Sequence, residues 1–160
     1  MVALGGKIYY VSPQGSDSGD GSIDNPVLTL ETAYAFLRSG KNDAVVISQD
    51  WIDGLTDAAA SCTIRLDAAF TWAKPAAHLI GLQPSFADLF ISPRARLAPT
   101  AATTAFANFF TVTGVGCLFR GIQWFHDFTT DTTSQIAVTV KGARNVFHRC
   151  HIVGCQNDDS

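Results

Sequence analysis

Phe110-Thr111-Val112-Thr113-Gly114-Val115-Gly116-Cys117-Leu118-Phe119-Arg120-Gly121-Ile122-Gln123-Trp124-Phe125 lies over Val138-Thr139-Val140-Lys141-Gly142-Ala143-Arg144-Asn145-Val146-Phe147-His148-Arg149-Cys150-His151-Ile152-Val153 at a constant offset of 28 residues. Thr111 matches Thr139, Val112 matches Val140, Gly114 matches Gly142 and Phe119 matches Phe147. Leu118 over Val146, Ile122 over Cys150 and Trp124 over Ile152 keep apolar character. Each unit reads strand, glycine turn, strand. A repeat of this length built from short strands predicts one coil of a parallel β-helix. Like residues then stack on successive rungs about 4.8 Å apart. An antiparallel sandwich predicts no stacking of like on like.

Further short β-rich runs precede this repeat: Ala44 to Ser48, Thr63 to Asp67 and His78 to Leu82. The section Trp51 to Thr104 fits the period poorly and reads as irregular early coils with long side loops. At the front, Lys7 to Ser12 is a β-branched and aromatic strand, and Pro13 to Pro26 is a turn-rich loop. Leu30, Ala33, Tyr34 and Leu37 then fall on one face of a helix, with Thr29 as N-cap, Glu31 in the first turn, Arg38 in the last and Gly40 as the C′ residue. The expected fold is all-β: a right-handed parallel β-helix (solenoid) with a short N-terminal capping α-helix. Residues 1–43 form the strand, loop and cap. Residues 44–160 form the coils, which continue beyond or are capped by a partner. An amphipathic helix has a physical task there, since the first rung of a solenoid otherwise exposes apolar side chains and open strand edges.

Composition narrows the function classes. The 160 residues are 47% hydrophobic and 16% charged, with net charge −3. That excludes a disordered chain, and the longest apolar runs fall far short of the roughly 18 residues of a membrane span. The eleven Lys and Arg are scattered, which argues against a nucleic-acid partner. No apolar leader opens the chain, so Sec export is not expected. Cys62, Cys117, Cys150 and Cys155 are too few for a disulfide scaffold and lack zinc-site spacing. Cys150 is expected to point into the core, with His148 and His151 pointing out. No cofactor is expected, since no phosphate-binding, dinucleotide or nucleophile motif is present.

The block Tyr9-Tyr10-Val11-Ser12-Pro13-Gln14-Gly15-Ser16-Asp17-Ser18-Gly19-Asp20-Gly21-Ser22, followed by Asn25-Pro26-Val27-Leu28-Thr29-Leu30-Glu31-Thr32-Ala33, resembles the opening of pectate-lyase-like right-handed β-helix proteins. Gly114 to Gly154 resembles coils of the same superfamily. The resemblance implies polysaccharide lyases and hydrolases or phage tailspikes and other virion proteins. Without an export leader the phage members are favoured: made in the host cytoplasm and located in the virion. The expected role is a virion structural protein (fibre, spike or capsid decoration component) acting by attachment. Its partners are other virion proteins and copies of itself, with a trimer favoured and a host surface glycan as a possible ligand. The alternative is a polysaccharide-binding or -degrading tailspike.

Catalysis on this fold needs paired carboxylates, or a base with Ca²⁺. Asp50, Asp53 and Asp57 are candidates, as are Asp127 and Asp131 with His126. Trp124 and Phe128 beside them are candidates for glycan stacking. The plainer reading, a loop between rungs with Trp124 packed inside over Ile152, is preferred. Asp17 and Asp20 resemble a fragment of a calcium loop, but Asx-turns explain them more simply and no metal site is expected. Arg94 and Arg96 read as a solvated turn.

Overall fold

The structure is a computed structural model and describes residues 5–47, 63–82, 95–100, 108–125 and 136–153. Twelve strands and one helix lie within them: β1 (Ile8–Val11), α1 (Leu30–Phe36), β2 (Ala44–Ile47), β3 (Thr63–Leu66), β4 (Phe70–Trp72), β5 (His78–Gly81), β6 (Ala95–Pro99), β7 (Asn108–Val112), β8 (Leu118–Arg120), β9 (Ile122–Phe125), β10 (Ile136–Val140), β11 (Val146–His148) and β12 (His151–Val153). They form three parallel sheets. Sheet A has the order β1-β2-β5-β8-β11, sheet B β3-β6-β9-β12 and sheet C β4-β7-β10. From β2 to β12 the chain visits A, B and C in strict rotation.

The repeat read from the sequence is the pairing register. Thr111 pairs with Thr139, Val112 with Val140, Leu118 with Val146, Phe119 with Phe147 and Trp124 with Ile152. The two long runs of the repeat each break into two strands, at Gly121 (φ 68°) and Arg149 (φ 53°), where a left-handed residue swings the chain from sheet A to sheet B. Two strands escaped the sequence reading, β4 and β6. The cause is unequal coils. On sheet A the stacked residues Val45, Leu79, Phe119 and Phe147 are 34, 40 and 28 residues apart, so only the last step obeys the period.

Alternation sends one face of every sheet inward. Val45, Ile47, Leu79 and Phe119 from sheet A, Ile64, Leu66, Leu97 and Trp124 from sheet B, and Trp72, Phe110 and Val112 from sheet C share one buried cluster. Phe110, Phe119 and Trp124, one from each sheet, touch one another with ring centroids 5.8 to 6.1 Å apart. Along the stack, Phe119 and Phe147 lie nearly flat on each other at 4.8 Å, the spacing of paired strands. Burying each such ring is worth roughly 2–3 kcal/mol.

The connection from sheet C to sheet A has five residues in every coil: 73–77, 113–117 and 141–145. Its fourth residue is left-handed each time: Ala76 (φ 47°), Gly116 (φ 70°) and Arg144 (φ 57°). Asn42 (φ 57°) holds the same place before β2. Just before that position, a Cβ on Gly142 would run into the carbonyl oxygen of Gly114 on the neighbouring coil, so side chains are excluded where the two turns touch.

The helix caps the first coil, as expected, but it is shorter than expected. Thr29 is the N-cap, accepting from the Thr32 N–H at 3.3 Å, and Leu30 and Ala33 are buried. The helix ends at Phe36, with Leu37 already extended. Arg38 is therefore not in its last turn and Gly40 is not its C′ residue. The reason is Asp43, fully buried at the corner before β2. Its carboxylate accepts from the Arg38 N–H (2.8 Å), Arg38 Nε (2.9 Å), Arg38 Nη2 (2.7 Å) and the Lys7 N–H (2.7 Å). The Arg38 side chain serves this buried charge rather than the helix carbonyls. Lys74, from the first C-to-A connection, serves those instead: its Nζ donates to the carbonyls of Tyr34, Ala35 and Leu37.

Two predictions follow from the corners. Gly116→Ala should cost about 1 kcal/mol, because a Cβ there meets nothing within 4 Å and only the left-handed backbone opposes it. Ala76→Gly should gain a similar amount; urea melts of both variants check the pair. The Arg38 guanidinium beside Asp43 holds that carboxyl below the ordinary carboxylate range. A depressed folded-state pKa stabilises the fold above the unfolded value near 4 and is lost as pH falls below it. Asp43→Ala should therefore cost about 3 kcal/mol at pH 7 and flatten the acid limb of a stability–pH curve.

Candidate functional site

The outward face of sheet B carries the chemistry of the described residues. Because Ile64, Leu66, Leu97 and Trp124 point in, their neighbours point out. Thr63, Arg96, Gln123 and His151 form one cross-strand row through four coils. Arg65, opposite Ala98, and Phe125, opposite Val153, flank it. The Arg96 Nε donates to Gln123 Oε1 at 2.8 Å, and its guanidinium carbon sits 4.6 Å over the Phe125 ring. The Arg65 Nη1 donates to the Pro99 carbonyl at 2.8 Å. Both cations are thus held in place by strand residues. A guanidinium stacked on a ring and fixed at one nitrogen is pre-organised to meet a carboxylate or other planar anion.

Sheet C presents a neutral face. Thr71, Thr111 and Thr139 form one row, and the Thr139 hydroxyl donates to Asn108 Oδ1 at 3.0 Å. No strand of sheet B or C contains Asp or Glu. Asp67, just past β3, has its carboxylate engaged by the Thr100 hydroxyl.

A solved structure described as a rhamnogalacturonan lyase is similar to this chain. It superposes with a TM-score of 0.50 and 21% identity, over 80% of this chain and 30% of its own length. The likeness is one of fold. No family model and no curated protein matches the chain.

The residues singled out from the sequence fall in three groups. His126, Asp127, Phe128 and Asp131 lie outside the described residues, as do Asp50, Asp53, Asp57, Arg94, Cys62 and Cys155. Trp124 is fully buried among Phe110, Phe119 and Phe147, so its ring is not available to a glycan. Its indole N–H has no hydrogen-bond partner. Asp17 and Asp20 serve the loop. Asp17 Oδ1 accepts from the N–H groups of Leu28 and Thr29 and from the Thr29 hydroxyl, and Asp20 Oδ1 accepts from the Ser22 N–H. Burial pushes the Asp17 carboxyl up, but these donors outweigh it and hold it below its ordinary value. Among the described residues no three His, Cys, Asp or Glu gather as a metal site would require. Cys150 packs against the core with its Sγ 3.3 Å from the Phe119 carbonyl, while His148 is exposed and His151 half-buried.

Arg96 was misread as a turn residue; it sits in β6. A signal was present, because Arg96 pairs with Gln123 and Leu97 with Trp124 at an offset of 27, one short of the repeat.

On sheet A, His78 Nδ1 accepts from the Leu118 N–H at 3.1 Å, bridging β5 to β8. Only an unprotonated Nδ1 accepts, and burial pushes the His78 pKa down from its usual value. The unfolded chain thus takes up the proton first. The stability from this group should be complete above about pH 6.5 and decline as pH falls through the lower folded value. In chemical melts from pH 7.5 to 5, His78→Ala should show a shallower slope than the parent.

Proposed function

We propose that the three sheets close into a right-handed parallel β-helix of the pectate-lyase-like kind and that the chain works by attachment. It holds an acidic polysaccharide on the outer face of sheet B, as a fibre, spike or decoration component of a phage virion, in homo-oligomers such as trimers, against a host surface glycan. The closure is supported by the strict rotation through the sheets and by the three-way contact of Phe110, Phe119 and Trp124. The right hand follows from the general preference of parallel crossovers. The virion setting rests on the resemblance of the N-terminal block.

The observation that carries the binding role is Arg96, locked by Gln123 and stacked on Phe125, with Arg65 on the same face. A uronate ring offers a carboxylate to such a guanidinium and an apolar C–H face to an aromatic ring. Hydrolysis would need two carboxylates across a groove, and the strands of sheets B and C supply none. Binding without turnover is the function this geometry supports best.

Calorimetry with polygalacturonate, against a neutral dextran of equal length, tests this. The acidic glycan should bind, more weakly as salt rises, and the dextran should not. Arg96→Ala should weaken binding about tenfold or more, the loss of one charge-assisted contact. No new reducing ends should appear. Equal affinity for dextran, or unchanged binding by Arg96→Ala, overturns the assignment. Reducing ends that vanish in Asp127→Asn would make the protein an enzyme.

A further inference from the structure

The two ends of the coil stack are opposite in charge and both apolar. The outer edge of β1 is closed by the loop that follows it: Tyr10 N–H donates to the Gly21 carbonyl, Val27 N–H to the Tyr10 carbonyl, and Ser12 N–H to the Val27 carbonyl. On this closing layer Ile23 and Leu28 are exposed, beside the exposed acids Asp20, Asp24 and Glu31. Across residues 5–36 four carboxylates face a single cation, Lys7.

At the other end, β10, β11 and β12 are the last strands of their sheets. Val140, Val146, Phe147 and Ile152 are exposed there, although Trp124, the register partner of Ile152, is fully buried, and Ile152 is 58% exposed. Phe147 stacks on Phe119 with one ring face and bares the remainder. The rim of this end is cationic: Lys141, Arg144 and Arg149 are exposed, and residues 136–153 contain no Asp or Glu.

We propose that the occupant of the last coil is a second copy of this chain, joined head to tail: the cationic, apolar face of one copy seats the acidic, apolar cap of the next. Head-to-head pairing of last coils would set three cations against three. Tail-to-tail pairing of caps would oppose carboxylates. Only the heterologous arrangement pairs unlike charge around apolar contact, and a heterologous contact repeats into an open filament rather than closing as a pair. The inference is independent of the glycan face, which lies on the side of the stack. A side-by-side oligomer leaves both ends free and would act as the repeating unit.

Sedimentation velocity on the full chain tests it with two end variants. Lys141→Glu/Ile152→Glu blocks the last coil, and Ile23→Lys/Asp24→Lys blocks the cap; all four side chains are exposed, and circular dichroism confirms each fold. The parent should form particles that lengthen with concentration and shorten as salt rises from 0.05 to 0.5 M (a span over which screening grows severalfold). Each variant alone should stay at the smallest unit. An equimolar mixture of the two should give particles of twice that mass and no larger, because each carries one intact end. A parent that stays at the smallest unit at low salt overturns the proposal. So does self-association of the cap-blocked variant alone, which would mean that last coils meet each other.

Discussion

A chain that returns to the same sheet after 28, 34 or 40 residues has to enter it at the same height each time, or the side chains of successive coils would not stack. The C-to-A corner imposes that condition. Asn42, Ala76, Gly116 and Arg144 are all left-handed, and each stands two residues before a strand of sheet A. With the entry fixed, period-two alternation decides which residues face inward on β2, β5, β8 and β11. One glycine and three other residues occupy this position, so the parallel ladder, not local preference, holds it left-handed. An isolated alanine or arginine would lose about 1–2 kcal/mol there.

The residue after each left-handed position forms a column: Asp43, Ala77, Cys117 and Asn145. Its middle members are small, buried and weakly polar. Its end members carry strong acceptors. Asp43 gathers Arg38 and the Lys7 N–H, tying the helix exit and the β1 entrance to the first full coil. Asn145 accepts from the Cys117 N–H and donates to the carbonyls of Gly114 and Gly142, clamping two turns together. The same side-chain slot is thus a linker where layers differ and a spacer where they repeat. That use explains why Arg38 leaves the helix, and why Lys74, reaching up from the corner of the next coil, takes over its C-terminal carbonyls.

Much of this was legible in the residues, and the exceptions have physical causes. The last two coils were readable because nothing is inserted between their strands apart from the B-to-C connection, so Thr111, Phe119 and Trp124 announce Thr139, Phe147 and Ile152 by offset alone. The helix was readable from its spacing and its Thr29 cap. Its end was not, because the competitor for Arg38 is a buried carboxylate five residues on whose burial is a tertiary fact. Strands β4 and β6 were hidden by coils of 34 and 40 residues, in which length changes erase the period while the pairing survives. Arg96 was hidden with them. The fold therefore came through the repeat, whereas the cationic face depended on pairings the repeat does not reach.

Those unequal lengths also say where function collects. Every C-to-A connection has five residues, and the sheets it joins keep their relation from coil to coil. All variation falls in the other two corners. From sheet A to sheet B the chain has a single residue between β8 and β9 but fifteen between β2 and β3. From B to C it has three residues after β3 and ten after β9. Sheet B is bounded by variable connections on both sides, and sheets A and C on one side each. Arg65, Arg96, Gln123 and Phe125 stand on strands, where the ladder fixes their spacing, between two edges where sequence can change without disturbing the stack. His126, Asp127, Phe128 and Asp131 continue directly from Phe125 into one of those edges. A rigid cationic row flanked by adjustable connections is an arrangement in which affinity for an anionic chain and selectivity among such chains are set by different residues.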